Sequence, residues 1–256
     1  MIASSQIKNK LILMKTPLVS VITVVYNNKN GIERTLKSIA AQTYAPIEYI
    51  VIDGGSTDGT IEVIRQYQNL IGVFISEPDK GIYDAMNKGL NLAIGELIGI
   101  INSGDHYEPG TVETIVNSFQ ENPGAAIFHG VLRVFDASGE FKAIVGNHSS
   151  FLSTGMIEHP TCFVKRELYL NYGGFNLTYS SSSDYDFMLR MKELKVNFMF
   201  IEKILANYYT GGISFQKPAL LETLQIKHRY GLISTFKKVL LENIINIKAA
   251  FKQEPH

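Results

Sequence analysis

Four short segments gather acidic, amide or basic side chains, and in three of them glycines stand alongside, where a bound molecule could approach the backbone closely. In Val51-Ile52-Asp53-Gly54-Gly55-Ser56-Thr57-Asp58-Gly59-Thr60 an apolar run ends on Asp53, which could accept hydrogen bonds from a base or ribose. Asp58 stands just ahead of Gly59-Thr60-Ile61 and reads as a cap for the next helix. In Ile100-Ile101-Asn102-Ser103-Gly104-Asp105 a second apolar run delivers Asp105, a carboxylate able to hold a hard divalent cation against a diphosphate.

The third segment, Ser76-Glu77-Pro78-Asp79-Lys80-Gly81-Ile82-Tyr83, feeds a helix whose N-terminal amides could face an anion that Lys80 also meets. Within that helix Tyr83, Met86, Leu90 and Ala93 fall on one stripe and read as core, which leaves Lys80, Asp84 and Asn87 as candidates. The fourth segment, Ser183-Asp184-Tyr185-Asp186-Phe187-Met188-Leu189-Arg190, sets Asp184 near a helix start and spaces Asp186 and Arg190 for an i, i+4 pair. Taken singly, each acid has an ordinary reading as a turn or helix-start residue.

The elements that would position these residues argue for the stronger reading. Pro17 introduces Leu18 to Val25, apolar on both faces, a buried strand. Helical spacing at Ile32, Leu36, Ile39 and Ala40 follows, and after Pro46 a strand spans Ile47 to Ile52. The alternation continues with a helix near Thr60 to Gln68, a strand at Val73 to Ile75, a helix at Tyr83 to Ile94 and a strand at Glu96 to Ile101. Such alternation predicts a parallel, helix-covered sheet, with ligands bound beyond the carboxyl ends of its strands. All four candidate strand ends, including Tyr26-Asn27-Asn28, are polar or glycine-rich.

Beyond a helix near Thr111 to Gln120 the pattern becomes mixed. Short strands are expected at Ala126 to Phe128, Val131 to Phe135 and Phe141 to Val145, then a helix at Arg166 to Tyr172 and a strand at Asn197 to Ile201. Cys162, alone of its kind and set in an apolar run, reads as a small buried hydrophobe.

Together the segments resemble glycosyltransferase family 2 over roughly Pro17 to Ser214: Val21 to Asn27, the Asp53 loop and Asn102 to Asp105 occur in the family's order. Ser76 to Gly89, with Gly211-Gly212-Ile213-Ser214, looks like the branch of colanic acid, capsule and O-antigen glycosyltransferases. The resemblance implies a GT-A fold: a Rossmann-like, mostly parallel mixed α/β sheet flanked by helices, with a C-terminal helical segment. It implies an N-terminal extension (1–16), a catalytic domain (17–214, split into a nucleotide-binding half 17–109 and an acceptor half 110–214) and C-terminal basic amphipathic helices (215–256). By the same resemblance Thr23, Tyr26, Asp53, Lys80, Asn87 and Asn102 would contact the nucleotide-sugar donor. Asp105 would hold Mg²⁺ or Mn²⁺, and Asp184 would be the general base of an inverting transfer. The donor implied is a UDP-sugar, and the acceptor a saccharide or polyprenyl-linked glycan. The chain departs from the family pattern at Gly54, at Asn102 and Gly104, and at Ser183, each where a carboxylate is common, so the metal site rests on one carboxylate. His159 falls at an acceptor-side position, though a histidine before Pro160 reads equally as a packed turn residue.

Composition narrows the alternatives. With 256 residues, 45% of them hydrophobic, the chain can bury a core, and 24 basic residues balance 24 acidic ones, which gives no field to recruit nucleic acid. A nucleotide-dependent oxidoreductase should carry G-x-G-x-x-G where this chain has Tyr26 to Gly31, whereas a non-catalytic nucleotide-sugar-binding module is distinguished only at Asp184 and the acceptor side. No apolar run reaches the ~20 residues of a membrane span and no cleavable signal pattern is read at the start, so a cytoplasmic protein is expected. From Lys217 to His256, seven lysines and arginines face three glutamates, and apolar residues recur at helical spacing. That pattern fits peripheral contact with the inner face of the cytoplasmic membrane, and equally a face packed on the catalytic domain or on a sister subunit in a homodimer.

Overall fold

The computed structural model describes residues 16–211 and 217–251, with side chains as far as 248. Residues 1–15 of the expected extension, and 212–214 of the glycine-rich motif, lie outside the described residues. In chain order the first half runs β1 (Val19–Val25), α1 (Lys29–Ala40), β2 (Ile47–Asp53), α2 (Thr60–Arg65), β3 (Val73–Ser76), α3 (Ile82–Leu92) and β4 (Leu97–Ile100). The rest comprises β5 (His106–Tyr107), α4 (Thr111–Glu121), β6 (Ile127–Phe135), β7 (Phe141–Val145), β8 (Phe163–Lys165), α5 (Arg166–Tyr172), α6 (Ser183–Glu193), β9 (Phe198–Tyr209), α7 (Lys217–Arg229) and α8 (Thr235–Phe251).

The strands form one sheet in the order β3-β2-β1-β4-β8-β6-β9-β5, with β7 paired to β6. β1, β2, β3 and β4 pair in parallel, so their carboxyl ends emerge on one edge. β8 is antiparallel to β4 and to β6, which makes the sheet mixed. Alternation along β1 serves two cores: Val19, Val21 and Val25 pack with Ile32, Leu36 and Ile39 of α1, while Ile22 and Val24 pack with Tyr83, Met86 and Leu90 of α3. The stripe expected on α3 is therefore core.

Two expectations about strands change. The short strands 126–128 and 131–135 are one strand, β6, with an irregularity at Gly130/Val131. A Cβ at Gly130 would lie 2.7 Å from Leu205, so the bare backbone lets β9 come close. β9 runs on to Tyr209, well beyond the expected end at Ile201, because the charged pair Glu202-Lys203 is the part skipped where the register with β6 shifts, and pairing resumes at Ile204. The C-terminal segment forms two helices, α7 and α8, and among the described residues no helix is long and apolar enough to cross a membrane.

Gly99 of β4 faces Phe163 of β8, and a Cβ there would stand 2.4 Å from the ring. Phe163 is fully buried, its ring against that of Tyr107 at 5.4 Å, and cannot swing away. Gly99→Ala is expected to destabilise the fold by about 1–3 kcal/mol through overpacking. The check is a lower urea midpoint at constant m-value, and an unchanged midpoint would contradict this packing.

Candidate functional site

A cleft of about 1080 Å³ opens at the carboxyl edge of the parallel strands and takes lining residues from all four strand ends: Tyr26 and Asn28 after β1, Gly54 after β2, Asp79 and Gly81 after β3, and Asn102 to Asp105 after β4. Local hydrogen bonds lock these tips together. Asn27, at φ 46, receives the Thr57 N–H at 2.8 Å, and its own N–H donates to Ser56 Oγ at 2.8 Å. The Asn28 amide donates to Ser103 O and Oγ, both at 3.0 Å, and so ties the first tip to the fourth. The N-cap of α2 is Gly59, and Asp58, one residue before it, accepts the N–H groups of Thr60 and Lys29 and joins the starts of α1 and α2.

The Tyr26 ring is 66% exposed on the rim, a platform on which a planar base could stack. A Cβ at Gly54 would lie 3.1 Å from the Asp79 carboxylate, so Asp79 brings an acid to the place where Gly54 offers none. Lys88 holds Asp79 there in a 2.5 Å ion pair.

Asp105 occupies the floor. It is 4% exposed, the N–H of Tyr209 donates to its Oδ1 at 3.0 Å, and burial pushes its pKa up to about 7, a rise that this hydrogen bond and the nearby Arg34 charge oppose. The loop is shaped from α1: the Thr35 hydroxyl donates to Asp105 O at 2.7 Å and accepts the Gly104 N–H at 2.9 Å. Arg34 donates to Gly104 O at 3.2 Å and stacks 3.8 Å above the Tyr209 ring. Asn102 Oδ1 is buried and, among the described residues, has no hydrogen-bond partner. Among the described residues no three His, Cys, Asp or Glu side chains converge to cage a metal alone. Asp105 and Asn102 instead offer hard oxygens suited to a cation that takes its remaining ligands from phosphate and water.

The opposite wall comes from the second half of the chain. Asp184, in the first turn of α6, lines the cleft with His159, Ser180 and Ser181. Its Oδ1 accepts from the Tyr83 hydroxyl at 2.8 Å. His159 packs its ring on Phe175, 5.9 Å between centroids, and burial lowers its pKa, so it serves both as a packed turn residue and as part of the wall. Glu222 of α7 accepts the N–H groups of Ser180 at 2.7 Å and Ser181 at 2.8 Å.

Of the sequence-derived candidates, Tyr26, Asn102, Asp105 and Asp184 line this one cleft, and Thr23, Asp53, Lys80 and Asn87 do not. Thr23 lies on the α1 side of β1, where its hydroxyl accepts from Tyr49 at 3.0 Å inside the core. Asp53 is fully buried, with its carboxylate spent on Gly55, Ser56 and Ser76 as the brace of its own loop. Asn87 exchanges hydrogen bonds with the Phe175 backbone at 2.8 and 2.9 Å and ties α3 to the turn after α5. Lys80 is exposed outside the cleft, and the cation among the lining residues is Arg34. Asp186 and Arg190 do not pair: Asp186 meets Arg229 at 3.4 Å, and Arg190 donates to the carbonyls of Tyr172, at the end of α5, and Gly174 just after it. Sequence reasoning missed Arg34, Thr35, Asp79 and Tyr209. Only Thr35 left a local signal, as a polar residue beside the apolar stripe of α1.

Residues 20–182 match the family model described as Glycosyl transferase family 2. An uncharacterized glycosyltransferase of Mycobacterium tuberculosis is 32% identical over 213 residues, 81% of this chain and 81% of that protein. Hyaluronan synthase of Pasteurella multocida is 34% identical over 205 residues, 77% of this chain but 21% of the synthase. Among solved structures, S. aureus TarS in complex with UDP-GlcNAc has the same GT-A-like fold, with a TM-score of 0.67 at 18% identity over 86% of this chain and 69% of that one.

Because folding raises the Asp105 pKa, the ionised carboxylate is the form the fold disfavours. The penalty is absent below the ordinary carboxylate range and grows as pH rises toward about 7, where it levels off. Asp105→Asn is therefore expected to melt above the wild type at pH 8 in EDTA, with the gain fading toward pH 4. Differential scanning fluorimetry across that range checks it, and a gain independent of pH would contradict the burial argument.

Proposed function

The chain belongs to glycosyl transferase family 2 and is a glycosyltransferase, and from that premise we propose that it transfers one sugar, with inversion, from a UDP-sugar to a saccharide or polyprenyl-linked acceptor in cell-surface polysaccharide synthesis. The observation that carries this reading is the placement of Asp105 and Asp184 in one cleft, one at the strand tips and one across from it on α6. The relation to hyaluronan synthase supports the polysaccharide context, and the fold shared with a UDP-GlcNAc-bound protein supports the donor class.

In this reading Tyr26 stacks on the base, and the Asp79 carboxylate beside Gly54 accepts from the base or ribose. Asn102 and Asp105 would hold Mg²⁺ or Mn²⁺, which would offset charge developing on the leaving UDP. Arg34, close to Asp105 at the same floor, adds a fixed positive charge. Asp184 takes the proton of the acceptor hydroxyl as that oxygen bonds to the anomeric carbon, and the bond from this carbon to the diphosphate oxygen breaks with its electron pair leaving on UDP. Attack from the Asp184 side, opposite the leaving group, inverts the anomeric centre.

The exposed face of α8 gives the acceptor reading a physical route. Phe236, at 80% exposure, and Val239, Leu240, Ile244 and Ile247 lie bare on this helix, with Lys237 and Lys248 beside them. An apolar stripe flanked by lysines fits an anionic lipid surface, on the cytoplasmic side where polyprenyl-linked acceptors are handled. Through Glu222, α7 joins that face to the acceptor wall.

Asp184→Asn is expected to lower turnover by about 100-fold or more while leaving UDP and Mn²⁺ binding intact. UDP release and UDP-induced thermal shift measure the two, and undiminished turnover would overturn the base assignment. The full chain should float with phosphatidylglycerol vesicles but not with phosphatidylcholine alone, and Phe236→Glu with Leu240→Glu should abolish flotation. Equal flotation of the double variant, or a wild-type dimer that this variant dissolves in light scattering, would contradict the lipid reading.

A further inference from the structure

Tyr83 and Asp184 stand 101 positions apart in the chain and meet across the cleft. Tyr83 lies in the first turn of α3, two residues after Gly81, whose φ of 121° turns the chain out of the donor-side rim formed by Pro78, Asp79 and Gly81. Its ring is 6% exposed and packs on Phe175 at 5.4 Å, so the hydroxyl has little freedom to point elsewhere. That hydroxyl donates to Asp184 Oδ1 at 2.8 Å, and the N–H of Tyr185 donates to the same oxygen at 2.9 Å. Among the described residues Oδ2 has no hydrogen-bond partner. Two donors converging on one oxygen fix the plane of a carboxylate and leave the other oxygen to accept a proton from the cleft.

We propose that Tyr83 is the positioning residue for Asp184: its hydroxyl holds Oδ1, presents Oδ2 to the acceptor hydroxyl, and makes the base geometry depend on the seating of the donor-side loop. The inference rests on the reading of Asp184 as the base. Burial first, then the neighbouring Asp184 charge, raises the Tyr83 pKa well above its usual range, so the phenol remains a donor throughout the working pH range. The other titratable groups that feel the Asp184 charge are His159 and Cys162. Burial lowers the first and raises the second, so both are neutral near pH 7 and neither substitutes for the phenol.

The test uses the full chain with UDP-GlcNAc and Mn²⁺, following UDP release from pH 5 to 9, in the wild type, Tyr83→Phe and Asp184→Asn. A hydrogen bond to the ionised form favours it, so its removal should move the acidic limb of the kcat profile upward by about one pH unit. At pH 7 kcat should fall about tenfold with KM for the donor unchanged, since the lost hydroxyl is directed at Asp184. A merely structural tyrosine would lower melting temperature or raise KM without moving the limb. To separate the two cases, 2,3-difluorotyrosine at position 83 keeps the packing and strengthens the donor, and should move the limb downward. If Asp184→Asn retains turnover, the base reading fails. If Asp184→Asn is inactive while Tyr83→Phe keeps the wild-type limb and kcat, or the difluoro variant leaves the limb in place, the Tyr83 inference alone is overturned.

Discussion

The cleft depends on keeping one carboxylate, Asp105, out of water yet within reach of a ligand. Burial alone drives such a group toward its neutral form, and its pKa near 7 records how far that pressure goes here. What opposes it is a backbone N–H, that of Tyr209 at 3.0 Å, delivered because β9 continues past its charged interruption to the cleft edge. Arg34 braces the arrangement from the other side: it lies over the Tyr209 ring and holds the Gly104 carbonyl. A strand from the second half of the chain thus finishes a site begun by a strand tip of the first.

The same dependence across distant segments recurs around the cleft. Asn28 joins the first strand tip to the fourth, Asn87 joins α3 to the turn after α5, and Tyr83 joins α3 to Asp184. Each is a polar contact in a largely buried setting, where a lost partner costs more than the bond itself contributes. These contacts hold the two walls at a fixed separation, which suits a reaction whose donor and acceptor must meet at one carbon.

Much of this was legible because it is local. Apolar runs at β1 and β2, alternating with helical stripes such as that on α3, identify a parallel sheet, and the polar or glycine-rich strand ends identify its ligand edge. Tyr26, Asn102 and Asp105 follow from that edge, and Asp184 from the family resemblance. The roles of Thr23 and Asn87 could have been read more closely: Thr23 shares the strand face of Val21 and Val25, and Asn87 shares the buried side of α3 with Tyr83 and Leu90, so both point into packing. Asp53 braces its own loop, as an aspartate before Gly-Gly-Ser readily does. Arg34 and Tyr209 had no local signal. Their partners lie far along the chain, and only the fold brings them together.

The central claim is a single displacement between a donor held at Asp105 and a base on the facing wall. Proton NMR of the sugar first formed when water takes the place of the acceptor on a UDP-α-sugar, recorded before mutarotation, tests it most directly. The β-anomer is the expected product. An initial α-anomer would show retention and contradict the two-wall geometry as the basis of the reaction.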